Sequence, residues 1–182
     1  MTRIISISPP GGLASPTFEQ PYEMLEACHE RVHRMLALLA RLREHVREHG
    51  ADEQARSAAR DVMRYFDQAA PQHHLDEELH VFPRLDATAD TELAAVVRRL
   101  REDHRRMEGA WAAARAVLAP LAVGELTALT APQERALDDF AGLYDEHIRA
   151  EEQLVYPAAA AGMDEAATRA MGEEMMRRRG VR

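Results

Sequence analysis

The 182-residue chain has one cysteine, Cys28, and neither lysine nor asparagine. A single thiol excludes an internal disulfide framework and any zinc finger built on cysteine pairs. Glycine and proline number only nine each, and aromatics make up 5% of the residues. With few β-branched residues as well, a β-sandwich or barrel is excluded as the expectation. No apolar run approaches the roughly 20 residues of a membrane span. The first ten residues, Met1 to Pro10, carry one charged side chain and a very short apolar run, which is no secretory leader. The expectation is a soluble protein of the cytoplasm. Without lysine, all 23 basic side chains are arginines, set against 31 acidic ones for a formal charge of −8. That balance argues against nucleic acid as the main partner.

What the chain does have is alanine and histidine. The 33 alanines favour helix. Turn signals then divide the sequence. Residues 1–16, with Pro9, Pro10, Gly11, Gly12 and Pro16, read as an irregular arm. Thr17 with Gln20 resembles a capping box, and Pro21 suits a first helical turn. The first helix runs from there to about His49, ending at Gly50. Asp52 caps a second helix reaching about Phe82–Pro83, kinked or broken at Pro71. Asp90 starts a third, ending before Pro120. After a loop over 120–130, Thr130 and Gln133 form another capping box. The fourth helix runs to about Tyr156–Pro157, or on to Ala161. A fifth covers about 164–179 and ends on Arg177, Arg178 and Arg179, which read as a solvated helix end.

Apolar residues recur at steps of three and four along the four long helices. The stripes are Tyr22, Leu25, His29, Val32, Leu36, Leu39 and Val46; then Val62, Phe66, Ala70, His73 and Glu77; then Leu93, Val97, Leu100, His104, Met107, Trp111, Ala114 and Leu118; then Leu137, Phe140, Tyr144, His147, Glu151, Leu154 and Ala158. Four such helices on short connections imply an all-α, antiparallel up-down-up-down four-helix bundle over residues 17–161. Residues 162–182 then add a short helix that packs on the bundle or forms a dimer contact, so monomer and homodimer both remain open.

Every stripe contains a histidine, and two also contain a glutamate. A buried polar group is costly unless paired. The second and fourth helices repeat one pattern: His73-x-x-x-Glu77-Glu78-x-x-Val81-Phe82-Pro83, and His147-x-x-x-Glu151-Glu152-x-x-Val155-Tyr156-Pro157, offset by 74. His29 and His104 in the first and third helices are offset by 75. The chain thus reads as a duplicated two-helix unit with a pseudo-twofold axis. A His and a Glu one turn apart share a helix face, about 5–6 Å between Cβ atoms. Two such pairs and two further histidines provide four imidazoles and two carboxylates. That is too many for one structural zinc, and suits two metals sharing carboxylates.

These residues resemble the hemerythrins, and more closely the bacterial hemerythrin-like group named for its His-His-Glu cation-binding motif. The resemblance implies an antiparallel bundle around two iron ions with an oxo or hydroxo bridge, with zinc or manganese as alternative metals. It implies His29, His73, His104 and His147 as terminal ligands and Glu77 and Glu151 as bridging ones. It further implies a small diatomic ligand, O2 or nitric oxide, that is bound or sensed. A di-iron peroxidase or nitric-oxide-linked enzyme, and a protein of iron storage or iron-centre repair, are the other readings. Oxygen-carrying hemerythrins have a second histidine where this chain has Glu108, and Asp at another spacing in place of Glu151. By the repeat, Glu108 corresponds to His33, which becomes a candidate fifth imidazole.

Other residues carry secondary expectations. Glu78 and Glu152 either orient imidazoles or are surface acids. His74 with Glu78 is a slipped register of the same motif. His80 lies on the core side, as packing or beside a ligand, and His45 and His49 are solvated. Tyr144, one turn before His147, is placed to donate a hydrogen bond to a small ligand. Cys28 is a packing residue whose thiol adjoins His29.

Overall fold

The computed structural model describes residues 17–86 and 88–181, so the arm read at 1–16 lies outside the described residues. The chain forms α1 (Pro21–His49), α2 (Glu53–Asp76), α3 (Phe82–Asp86), α4 (Thr91–Ala122), α5 (Ala131–Ala141), α6 (Tyr144–Ala150), α7 (Tyr156–Ala161) and α8 (Glu165–Arg178). A π turn, Glu77–Val81, joins α2 to α3, and a second, Glu151–Val155, joins α6 to α7. The described residues contain no strand. Four rods result: α1, α2–α3, α4 and α5–α7. Each rod packs on the next, and α1 packs on α5 to close the bundle. At one end the backbone N–H of Ala51 donates to the Thr127 carbonyl, tying two connections together. No helix is long and apolar enough to cross a membrane among the described residues.

The caps explain most boundaries. Asp52 accepts from the Ala55 N–H at 2.9 Å, and Asp90 from Glu92 and Leu93, both at 3.0 Å. Gly50 ends α1 with φ at 75°, a left-handed conformation open to glycine. Gln133 accepts from the Thr130 N–H at 2.9 Å, as its capping box requires.

Four expectations are corrected. The first helix is capped at Gln20, while Thr17 begins the preceding turn, its carbonyl accepting from the Gln20 N–H at 2.9 Å. α2 continues through Pro71, whose exposed side lets the ring point to solvent while Ala70 and His73 are buried. α4 likewise runs past Pro120 to Ala122, because Leu121 and Ala122 bury there. The fourth rod, expected as one helix, breaks at Gly142–Leu143.

Buried apolar residues form two clusters. One holds Leu39, Val62, Phe66, Leu118 and Phe140; the other holds Leu25, Phe82, Leu100, Tyr156, Met171 and Met175. α8 joins the second through its two methionines. Between the clusters lies a layer of buried polar side chains: His29, His73, Glu77, His104, His147 and Glu151.

Candidate metal centre

Each rod delivers one histidine to that layer, and the two motif rods add a glutamate at the first residue of their π turns. The turns have a local cause. The Phe82 N–H reaches back five residues to the Glu77 carbonyl, and the Tyr156 N–H to that of Glu151. Pro83 and Pro157 follow, with no N–H to continue the ladder and a ring that crowds the carbonyl four residues back in a regular α turn, while Phe82 and Tyr156 before them keep α geometry. The extra residue rotates everything downstream. Val81 with Phe82, and Val155 with Tyr156, are buried as adjacent pairs. Leu154, expected on the core stripe, is 51% exposed for the same reason. Such turns are found disproportionately at functional sites.

The six polar residues are at most 4% exposed. Their ligand atoms form two groups, each within 4.8 Å: His29, His73, Glu77 and Glu151, and Glu77, His104, His147 and Glu151. Both carboxylates belong to both groups. Glu77 Oε1 lies 3.4 Å from His73 Nε2, and its Oε2 lies 3.4 Å from His104 Nε2. Glu151 Oε2 lies 3.2 Å from His29 Nε2, and its Oε1 lies 3.0 Å from His147 Nε2.

Close as they are, most of these atoms make no hydrogen bond. Glu77 Oε2, His104 Nε2, His147 Nε2 and both Glu151 oxygens are buried without a partner. The other two unpartnered buried side-chain atoms among the described residues, His73 Nδ1 and His147 Nδ1, belong to the same side chains. Leaving so many polar atoms unpaired costs about 1–3 kcal/mol each. Two cations between the groups would satisfy the inward-facing ones together. The donor set, imidazole nitrogen with carboxylate oxygen, is that of iron, zinc or manganese.

Burial opposes protonation of His73, yet the Glu77 carboxylate carries its imidazole up to about 10. Burial likewise opposes protonation of His104, and its contacts with Glu151 and Glu77 carry it to about 11. Burial favours the neutral form of Glu151, and the His147 imidazole reverses this and holds the carboxyl well below its usual range.

The outward ring nitrogens are held by a second set of acids. Glu152 Oε1 lies 3.0 Å from His29 Nδ1, and Glu78 Oε1 lies 3.1 Å from His104 Nδ1. In each Glu-Glu pair the first residue faces inward and the second orients a histidine on another rod. Asp103 Oδ2 lies 3.7 Å from His147 Nδ1. Its counterpart by the offset of 75 is Cys28, half-buried beside His73. Burial works against ionisation of the Cys28 thiol, but His73 brings it down to about 7.

All the histidines and glutamates expected as ligands converge except His33. The inward stripe steps from His29 to Val32, which leaves His33 rotated outward and exposed, outside both groups. Glu108, its repeat partner, is also exposed. His74 is outside the groups too, its ring stacked on that of His104 with centroids 4.0 Å apart. His80, which the π turn carries off the core stripe, pairs with Glu174 of α8 at 2.6 Å. His45 meets Asp52 at 3.0 Å. Arg178 and Arg179, expected to be solvated, reach the buried Asp76 at 2.6 and 2.5 Å. Tyr156 enters the site unannounced by spacing. Its hydroxyl donates to Glu77 Oε1 and lies 3.2 Å from His29 Nε2.

A family model described as the hemerythrin HHE cation binding domain matches residues 20–174. An uncharacterized protein of Haemophilus influenzae is 32% identical over 143 residues, covering 76% of this chain and 78% of that one.

Proposed function

The chain belongs to the hemerythrin HHE cation-binding domain family, and from this premise we propose that it holds two iron ions and binds or senses O2 or a similar small ligand such as nitric oxide. One observation carries the reading: two ligand groups of two imidazoles and two carboxylates each, overlapping in Glu77 and Glu151. His29 and His73 would hold one ion, His104 and His147 the other, with both glutamates between them. Each ion then has four protein donors, fewer than iron commonly takes, so a small exogenous ligand completes the set. Iron supplies the one-electron chemistry that reversible O2 or nitric oxide binding requires.

The protein's own part is positioning and enclosure. Glu152 and Glu78 fix the rings of His29 and His104 and raise their basicity as ligands. The apolar clusters on both sides keep bulk water from the centre. With donors at most 4% exposed, an ion leaves only when the bundle opens locally, so storage and delivery are less well supported than retention. The acidic charge of −8 favours a small ligand over nucleic acid as partner.

Purification with iron followed by ultraviolet–visible spectra of the reduced and air-exposed protein tests the proposal. Two irons per chain and oxidation-dependent charge-transfer bands are expected. Fewer than one iron per chain without such bands would overturn it. Steady turnover with peroxide or nitric oxide that Glu77→Ala abolishes would instead make the centre that of an enzyme.

A further inference from the structure

Four imidazoles enter the polar layer with Nε2 turned inward. A metal ion on Nε2 leaves the proton on the outward nitrogen, Nδ1, which then needs an acceptor. Glu152 and Glu78 stand there for His29 and His104, at 3.0 and 3.1 Å. The two motif histidines differ. Nδ1 of His73 and Nδ1 of His147 are buried without a formed hydrogen bond. His147 nonetheless has a carboxylate close by, Asp103 Oδ2 at 3.7 Å. Asp103 directly precedes His104, so consecutive residues of α4 supply a ligand and a neighbour for the ligand on another rod.

The repeat puts Cys28 in the corresponding place. It directly precedes His29 and lies 75 residues before Asp103, and both side chains are half-buried. Cys28 and His73 share the wall of a cleft of about 650 Å³. Outside the ligand groups, Cys28 acts on the His73 ring by charge and by hydrogen bonding. The contact, like that of Asp103 with His147, is looser than a formed hydrogen bond.

A carboxylate only accepts, whereas a thiol carries a hydrogen that must point elsewhere. Tyr65 is placed to take it. The Tyr65 hydroxyl donates to the Cys28 carbonyl at 3.0 Å, which uses its single hydrogen. Its oxygen, 3.5 Å from Cys28 Sγ, is left to accept the S–H. The lone pairs of the sulfur then remain for His73. Arg106 does the corresponding work for Asp103, holding Oδ1 at 3.1 Å while Oδ2 faces His147.

Resting on the reading of a dinuclear metal centre, we propose that Cys28 is the positioning residue of His73: its sulfur accepts the Nδ1 proton of that imidazole, as Asp103 does for His147, while Tyr65 holds the S–H away. The lone thiol of the chain is thereby part of the metal site rather than packing beside His29. One rule then covers all four imidazoles, each oriented by a residue that adjoins a ligand in sequence. Glu78 and Glu152 follow Glu77 and Glu151, and Cys28 and Asp103 precede His29 and His104.

The test is iron binding by the full chain, read by competition with a chromogenic chelator. It is paired with proton NMR of the reduced, iron-loaded protein, in which Nδ1 protons of iron-bound imidazoles lie far downfield and vanish in D2O. Cys28→Val keeps the bulk and removes the acceptor. It should weaken iron binding about tenfold or more and shift one of the downfield signals, and Cys28→Ala should do the same. Cys28→Asp, which gives both halves the same acceptor, should restore the parent affinity. Tyr65→Phe, which leaves the sulfur in place with its S–H unheld, should shift the same signal as Cys28→Val. Parent affinity and an unchanged spectrum in Cys28→Val would overturn the proposal. So would a loss that Cys28→Asp does not restore, since that is the mark of packing alone. Fewer than two irons on the parent chain defeats the underlying reading, whereas two irons held equally well by Cys28→Val defeat only the role of Cys28.

Discussion

Glu78 Oε1 lies 3.1 Å from His104 Nδ1, so a residue of one motif rod orients an imidazole on another. Arg101 holds the same carboxylate at 3.1 Å from its other oxygen. Glu78→Ala should therefore weaken metal binding without removing a ligand, by about 10–100-fold as for other carboxylates that orient metal-bound histidines. Competition with a chromogenic chelator measures this, and unchanged affinity would make Glu78 a surface acid after all.

Glu77 and Glu151 each serve both ligand groups. Glu77→Ala or Glu151→Ala should lower metal content at both positions together, read as moles of metal per chain. His33→Ala is the control. Its side chain is exposed and outside the groups, so metal content should equal that of the parent.

Metal bound only to the native state adds to its stability. At a free concentration 100 times the dissociation constant the gain is about 2.7 kcal/mol, which raises Tm by roughly 5–10 °C in a chain of this size. Calorimetry before and after chelation checks it. An unchanged Tm would mean that the polar layer folds on its own pairings.

Gly172 of α8 packs so closely on the Phe18 backbone that an added Cβ would lie 1.8 Å from the Phe18 carbonyl oxygen. Gly172→Ala must push α8 away from the start of the chain. Overpacking of this kind costs about 1–3 kcal/mol, which urea denaturation would show as a lower midpoint.

Glu174 ties α8 to the second rod through His80 and pairs with Arg178 within its own helix. The Arg178 guanidinium, against the opposition of burial and with help from His80, holds its carboxyl at about 2 instead of the usual 4.5. A depressed carboxyl binds protons less readily when folded. Its contribution is complete above about 4.5 and disappears as pH falls toward about 2. The group is largely solvated, so the contribution is no more than about 1 kcal/mol. Urea midpoints of the parent and Glu174→Gln should differ at neutral pH and converge as pH falls to about 2.

The convergence of His29, His73, Glu77, His104, His147 and Glu151 was legible because helix periodicity and the repeat offset of 74–75 residues impose two independent conditions, and all six meet both. His33 met only one. The offset paired it with Glu108, but the stripe turns at Val32 and leaves both outside. The π turns escaped a reading built on 3.6 residues per turn. Leu154 was misplaced in consequence. The break at Gly142–Leu143 had a glycine but no proline to mark it. The reach of Arg178 and Arg179 to Asp76 spans more than 100 residues and leaves no local signal. Tyr156 was visible as a motif aromatic, but only packing could show where its hydroxyl lands.

The polar layer lies across all four rods between the two apolar clusters. Without cations the unpartnered atoms of that layer make it a costly cross-section of the bundle. Two cations rivet that plane. The loaded protein should melt as a single body. The stripped protein should lose the end bearing α8 first, while the Phe66–Phe140 end keeps its helices.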